Sequence, residues 1–236
     1  MPEKPISFEA LPQFDLLESL LWEEGRGFFL LDQHLDRLRH SAASLGFAFP
    51  TQGLDAALQQ FDTGARPGRH KVRLLLSRDG TLTLESAPAT SISGGKVVLA
   101  SQAVPQNASL LRHKTTCRKP YSGPLRDQQA RDPGIVDVIL WDDAGYVTES
   151  GMANVIVRSG ADFYTPSLQQ NFLPGVFRRC LLEQGIVRER PITVTELQES
   201  GAVFLVNSVR GWMPLDPLGR GVWVIRSDFQ YETPVP

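Results

Sequence analysis

"GIVDVILWDDAGYVTESGMANVIVRSGADFYTP", residues 134–166, places short apolar strands in close succession. The run GIVDVILW stops at the turn DDAG, YVTES and NVIVRS follow, GAD turns the chain again, and FYTP ends the series. Downstream, LPGVFRRCLLEQG reads as a helix, with Pro174 and Gly175 before its first turn and Gly185 after its last. RPITV is expected as a strand, TELQES as a short helix, and AVFLVNS and GVWVIR as strands. Upstream, FDLLESLLWEEGRGFFLL suggests two strands around a glycine turn. Leu31, Leu35, Leu38, Ala42 and Leu45 then recur at helical spacing, with Asp32 as the expected cap. DAALQQF suggests another helix, HKVRLLLSRDGTLTLESA a hairpin around RDG, and GGKVVLAS one more strand. A helix is expected near PLRDQQARD. The fold class is therefore mixed α/β (α+β). The stretch QAVPQNAS is poor in large apolar residues and is the expected boundary, giving an N-terminal α/β domain over 1–106 and a C-terminal one over 112–236, with a linker at about 104–112.

Composition narrows the function classes. The chain has 236 residues, 42% hydrophobic and 21% charged, with a formal net charge of −2. No global basic field points to nucleic acid or an anionic membrane as partner. No run of 18 or more apolar residues is present to span a bilayer. The N-terminus MPEKPISFEA lacks a signal-peptide pattern, so the expected location is the cytoplasm, with Cys117 and Cys180 as free thiols. His34, His40, His70 and His113 lack the spacing of a closed metal site, and no metal is expected.

The chemistry concentrates in LLRHKTTCRKPY, residues 110–121, where Arg112, His113, Arg118 and Lys119 crowd Lys114. A solvated basic loop would have this composition. So would a reactive amine whose neighbours keep it neutral or hold an anionic substrate. Three later features favour the second reading. Glu149 ends a strand with Asn154 five positions on, LPGVFRR offers the free N–H groups of a helix start, and FLVNSVRG ends a strand with the hydroxyl of Ser208.

In this order, Lys114, TESGMAN (148–154), LPGVFR (173–178) and VNSV (206–209) resemble the class IV aminotransferases, the fold type IV pyridoxal-phosphate enzymes. HLDRL (34–38) is similar to the helix that supplies that family's phosphate-binding arginine. The resemblance covers nearly the whole chain and implies two α/β domains with the cofactor, pyridoxal 5'-phosphate, in the cleft between them. It implies Lys114 as the residue that carries the cofactor covalently and then acts as base. Glu149 would pair with the pyridine nitrogen. Arg37, the Val176 and Phe177 backbone N–H groups and Ser208 would hold the phosphate, and Asn154 would support the site. Many family members have Asn where this chain has Cys117, so Tyr121 is the candidate partner of the cofactor's phenolic oxygen. A homodimer is also implied, with Trp22, Phe28 and Phe29 serving either an interface or the core.

LRHKTTCR, FDLLESLLW and VNSVRGWMP are most similar to the 4-amino-4-deoxychorismate lyases within that family. That likeness implies a lyase of folate biosynthesis that releases 4-aminobenzoate and pyruvate, linked in its pathway to aminodeoxychorismate synthase. Arg112, Arg118 and Arg210 are the candidate ligands of the substrate carboxylates. The alternative within the fold is an aminotransferase for D-amino or branched-chain amino acids. Outside catalysis, a protein that keeps the fold without turnover would have no need of an intact Lys114 and Glu149.

Overall fold

The computed structural model describes residues 13–50, 53–63, 67–105 and 110–226. Its first sheet has the order β2-β1-β3-β4 and is antiparallel throughout, with β1 (Leu16–Glu23), β2 (Gly27–Phe28), β3 (Arg69–Leu76) and β4 (Leu82–Pro88). Strand alternation gives this sheet two different faces. Leu16, Leu20, Trp22, Val72, Leu74 and Leu76 pack against Leu38, Ala42 and Leu45 of helix α1 (Leu31–Leu45) and Leu58 of α2 (Leu54–Thr63). The other face presents Leu17, Ser19, Lys71 and Arg73 to a cavity. Trp22 is core, its indole N–H donating to Asp62 at 2.6 Å, while Phe28 packs on Phe61 and Phe29 on Phe177.

Helix α1 keeps its leucine stripe but starts differently from expectation. Asp32 lies inside the first turn, and the cap is Leu30, without a side-chain hydrogen bond. Leu30 is left-handed at φ 53°, the one non-glycine with positive φ among the described residues. Burial of its side chain with Val176 and Phe177 holds it there against the local steric cost.

The second sheet is nine-stranded and mixed, with the order β10-β9-β8-β11-β12-β13-β5-β6-β7. Its strands are β5 (Lys96–Leu99), β6 (Ile135–Trp141), β7 (Val147–Ser150), β8 (Asn154–Ser159), β9 (Asp162–Thr165), β10 (Val187–Glu189), β11 (Val203–Asn207), β12 (Gly211–Gly219) and β13 (Val222–Ile225). Helices α3 (Lys119–Gln129), α4 (Val176–Glu183) and α5 (Val194–Glu199) lie between them in sequence. The strand expected at RPITV is replaced by β10 and an isolated bridge between Tyr146 and Thr193. Strand β12 is additional to the sequence reading, and its Pro214 and Pro217 are residues that disfavour an interior strand. Pro214 nevertheless pairs with Phe204, and the register shifts between Pro217 and Gly219.

Strand β5 already pairs with β13 and β6, so the chain has left the first sheet before residues 104–112. It then returns. Thr115 forms a bridge with Leu16, and Leu17 N–H donates to the Lys114 carbonyl at 2.9 Å. Lys114 is thereby fixed at the edge of β1, and α3 carries the chain back to β6. Low hydrophobicity at 102–109 marks a connection but does not say which sheet the flanking strand joins.

Gly95 sits at the entry to β5, where an added Cβ would lie 2.5 Å from Val136 Cγ2. Gly95→Ala is expected to lower unfolding stability by ~1–3 kcal/mol through overpacking. Adding Val136→Ala should recover part of that loss in urea denaturation, because it removes the obstructing atoms.

Candidate active site

A carboxylate that the motif reading missed underlies the site. Glu18 points from β1 into the core side and is 1% exposed. It accepts from Arg37 twice, Nε to Oε1 at 2.8 Å and Nη2 to Oε2 at 2.6 Å, and shares a 2.7 Å hydrogen bond with His34 Nδ1. Burial raises the Glu18 pKa, but the Arg37 charge and the hydrogen bonds from His34 and Arg37 outweigh it and bring the carboxyl to about 2. Arg37 also donates Nη1 to the Pro174 carbonyl at 3.0 Å, which ties the first helix to the LPG segment ahead of α4. Sequence carried a signal for Glu18: a lone charge in the register of Leu16, Leu20 and Trp22 needs a buried cation.

Lys114, Arg37, Glu149, Asn154, Val176, Phe177, Ser208 and Tyr121 all line one cavity of about 390 Å³ between the two sheets. Burial, followed by the Arg37 charge, pushes the Lys114 amine down to about 8. Burial pushes the Glu149 carboxyl up to about 7 even though Leu173 N–H and Tyr121 O–H donate to it, at 3.2 and 2.9 Å. Tyr121 donates its hydroxyl proton to Glu149, and burial and Glu149 raise its pKa.

The start of α4 is built for close approach. Asn154 Nδ2 donates to the Leu173 carbonyl at 3.0 Å, so Asn154 shapes the backbone of the LPG turn. Its Oδ1 would lie 1.8 Å from any Cβ at Gly175, so that position requires glycine. Gly175 caps the helix without a side-chain bond, leaving the Val176 and Phe177 N–H groups beside the cavity. Arg178, 2% exposed, anchors this turn by donating to Thr165 Oγ1 at 3.2 Å, to the Pro166 carbonyl at 2.7 Å and to Glu189. Asn207 Oδ1 accepts from Val209 N–H and Arg210 N–H at 3.0 and 2.9 Å, folding the turn that presents Ser208.

The three candidate substrate arginines separate. Arg112 does not line the cavity; it is exposed and donates to Asn171 Oδ1 at 3.1 Å and the Leu168 carbonyl at 2.8 Å. Residues 110–113 form a turn, closed by the His113 N–H donating to the Leu110 carbonyl at 3.0 Å, so Arg112 and Lys114 leave the chain in different directions. Arg118 lines the cavity, 4.3 Å over the Tyr121 ring and bonded to the Gly151 carbonyl. Arg210 lines it too, with a buried Nε that has no partner among the described residues. Strand β3 adds two cations that sequence reading did not select, Lys71 and Arg73. Both cysteines are free.

Comparison with known proteins agrees with this geometry. The amino-transferase class IV family matches residues 15–216, and the chain belongs to it. An aminodeoxychorismate lyase of Schizosaccharomyces pombe, provisionally so named, is 29% identical over 208 residues, covering 85% of this chain and 88% of the relative. A provisionally named branched-chain-amino-acid aminotransferase of Methanocaldococcus jannaschii is 25% identical, covering 79% and 73% of the two chains. Among solved structures, a provisionally assigned amino-acid aminotransferase of Mesorhizobium loti superposes with a TM-score of 0.76 at 32% identity, covering 85% of this chain and 98% of its own. Members of the family depend on pyridoxal phosphate, and this is the protein's cofactor. The cavity fits it: an amine of lowered pKa, a carboxyl for the ring nitrogen, and a glycine-cradled helix start beside Arg37.

Two pH dependences follow. The protein without cofactor should react with a small aldehyde at Lys114 with a midpoint near pH 8, well below the usual 10.5, and Lys114→Met should abolish that phase. The Glu18 contribution to stability is fully present above pH 4.5 and is lost as pH falls towards about 2. Acid unfolding should therefore be steeper over that window in the wild type than in Glu18→Gln, which should be less stable at neutral pH.

Proposed function

We propose that the protein is a lyase that converts 4-amino-4-deoxychorismate to 4-aminobenzoate and pyruvate in folate biosynthesis. The observation carrying this reading is a reactive lysine, a carboxyl and an arginine-held helix start within one cavity, in a chain whose similarity to a lyase-named relative runs through both sheets. The aminotransferase alternative shares every cofactor-binding residue, and the names of other relatives favour it.

On this reading Arg37 and the N–H groups of Val176 and Phe177 hold the cofactor phosphate, with Ser208 as a hydroxyl donor. Arg37 retains donor capacity beyond its three bonds to Glu18 and Pro174. Glu149 shares a proton with the pyridine nitrogen, and Tyr121 and Leu173 N–H fix its orientation. When bound, the cofactor supplies an electron sink conjugated to the substrate nitrogen. Lys114 Nζ, neutral in a large fraction of molecules near pH 8, takes the proton from the ring carbon that bears this nitrogen. The enolpyruvyl C–O bond breaks, pyruvate leaves, and the ring becomes aromatic. Arg118 and Arg210 face the substrate carboxylates. The same reading takes the enzyme as a cytoplasmic homodimer working beside aminodeoxychorismate synthase.

Supplied with chorismate, glutamine and a synthase, the protein should form 4-aminobenzoate and pyruvate in equal amounts. Transfer of the amino group to a keto acid without pyruvate release would identify an aminotransferase instead. Lys114→Ala should lose nearly all turnover while remaining folded. Glu149→Gln should retain cofactor but slow the proton step in single turnover. Arg37→Ala should weaken cofactor binding by roughly 1.5–3 kcal/mol or more, because Glu18 would also lose its cation.

A further inference from the structure

The charges around the cavity fall into two groups. At one end Lys114 senses Arg37, Glu18, Arg118 and Glu149. At the other, Lys71 senses Arg210, Arg73 and Arg118. Arg118 belongs to both. The first group contains two carboxyls. In the second, the charges acting on Lys71 are three arginines, and the neighbouring carboxyls are the buried Asp137 near Arg210 and Glu85 beside Arg73.

The cations of the second group are not equally available. Arg73 Nη1 is paired with Glu85 Oε2 at 2.7 Å. Arg118 is held by the Gly151 carbonyl and the Tyr121 ring. The Lys71 ammonium has no hydrogen-bond or ion-pair partner among the described residues, and Arg210 Nε is buried without one. Burial and the positive charges of Arg210, Arg73 and Arg118 all disfavour the protonated Lys71 amine and lower its pKa. Solvated surface would relieve that cost, yet β3 pairs along its whole length with β1 and β4 and fixes Lys71 on the cavity face. An anion bound between Lys71 and Arg210 would relieve it too, while the phosphate end is served by Arg37 and the start of α4.

We propose that Lys71 and Arg210 form a carboxylate subsite at the end of the cavity away from Arg37, which makes Lys71 a specificity-determining residue for a substrate with two carboxylates. The inference rests on the lyase reading, in which one carboxylate lies on the ring and the other on the enolpyruvyl group. Arg118, shared by both charge groups, faces the first, and Lys71 with Arg210 takes the second. Lysine contributes a mobile positive charge there.

Steady-state kinetics and ligand binding on the cofactor-loaded enzyme test this. Lys71→Met should lower kcat/KM for the dicarboxylate substrate at least tenfold, mainly through KM, and Lys71→Arg should restore most of it. Lys119→Met, which removes the same charge at an exposed position outside the cavity, should change neither parameter. Binding is followed independently of turnover by the absorbance of the bound cofactor. Chorismate, with two carboxylates and no amine, should bind the wild type at least tenfold more tightly than 4-aminobenzoate, and Lys71→Met should erase most of that difference. An unchanged KM, or an unchanged ratio of chorismate to 4-aminobenzoate affinity in Lys71→Met, overturns the subsite. A wild type that makes no 4-aminobenzoate overturns the lyase reading instead, and the chorismate comparison then still decides whether the subsite exists.

Discussion

The hydrogen-bonded pair of Glu18 and Arg37 holds the two halves of the site in register. Glu18 comes from β1 of the first sheet and Arg37 from the helix packed on that sheet. The third donor of Arg37 reaches Pro174, in the segment that opens α4 beside the second sheet. A buried carboxylate without its cation would be unstable, and so would a buried guanidinium without its anion. The fork-to-fork geometry fixes Arg37 in two directions, so the cavity receives an arginine whose position is set before any ligand arrives. His34 completes the arrangement at Oε2.

Two buried carboxyls in this protein have opposite ionisation behaviour, and their neighbours explain why. Glu18 meets a guanidinium directly and sits at about 2. Glu149 meets a tyrosine hydroxyl and a backbone N–H, with cations only at longer range, and sits at about 7. Burial acts upward on both, so the difference comes from direct charge pairing. A permanently ionised carboxylate suits an anchor. A carboxyl near neutrality suits a partner that shares a proton with a ring nitrogen. Lys114, at about 8, completes a set of groups able to exchange protons near neutral pH.

The elements that position these groups are linked by the chain's path. After β5 has joined the second sheet, residues 110–117 return to the edge of β1, and α3 leads back to β6. Lys114 and Tyr121 therefore lie on a segment that touches both sheets. Asn154 of β8 and Arg178 of α4 itself hold the start of that helix against the second sheet, and Asn154 leaves Gly175 no room for a side chain.

Much of this was legible from local pattern. Alternating apolar runs and turn residues gave the strands, the leucine period gave α1, and Pro174, Gly175 and Gly185 bounded α4, because these signals depend on backbone and neighbouring residues alone. The ordered motifs brought Lys114, Glu149, Arg37 and Ser208 forward as one site. Sequence did not disclose what depends on distant partners. Strand β12 tolerates its prolines because β11 and β13 hold it, and Leu30 adopts a left-handed cap because its side chain is buried with α4. Arg112 and Lys114 are two residues apart in one basic cluster, yet one binds a surface loop and the other lines the cavity. Glu18, Lys71 and Arg73 stand far from the motifs in sequence. Sequence thus determined which groups the protein carries and the local elements that hold them. Tertiary structure decided which charges meet, because burial and the Coulomb interaction depend on separation in space, not on position along the chain.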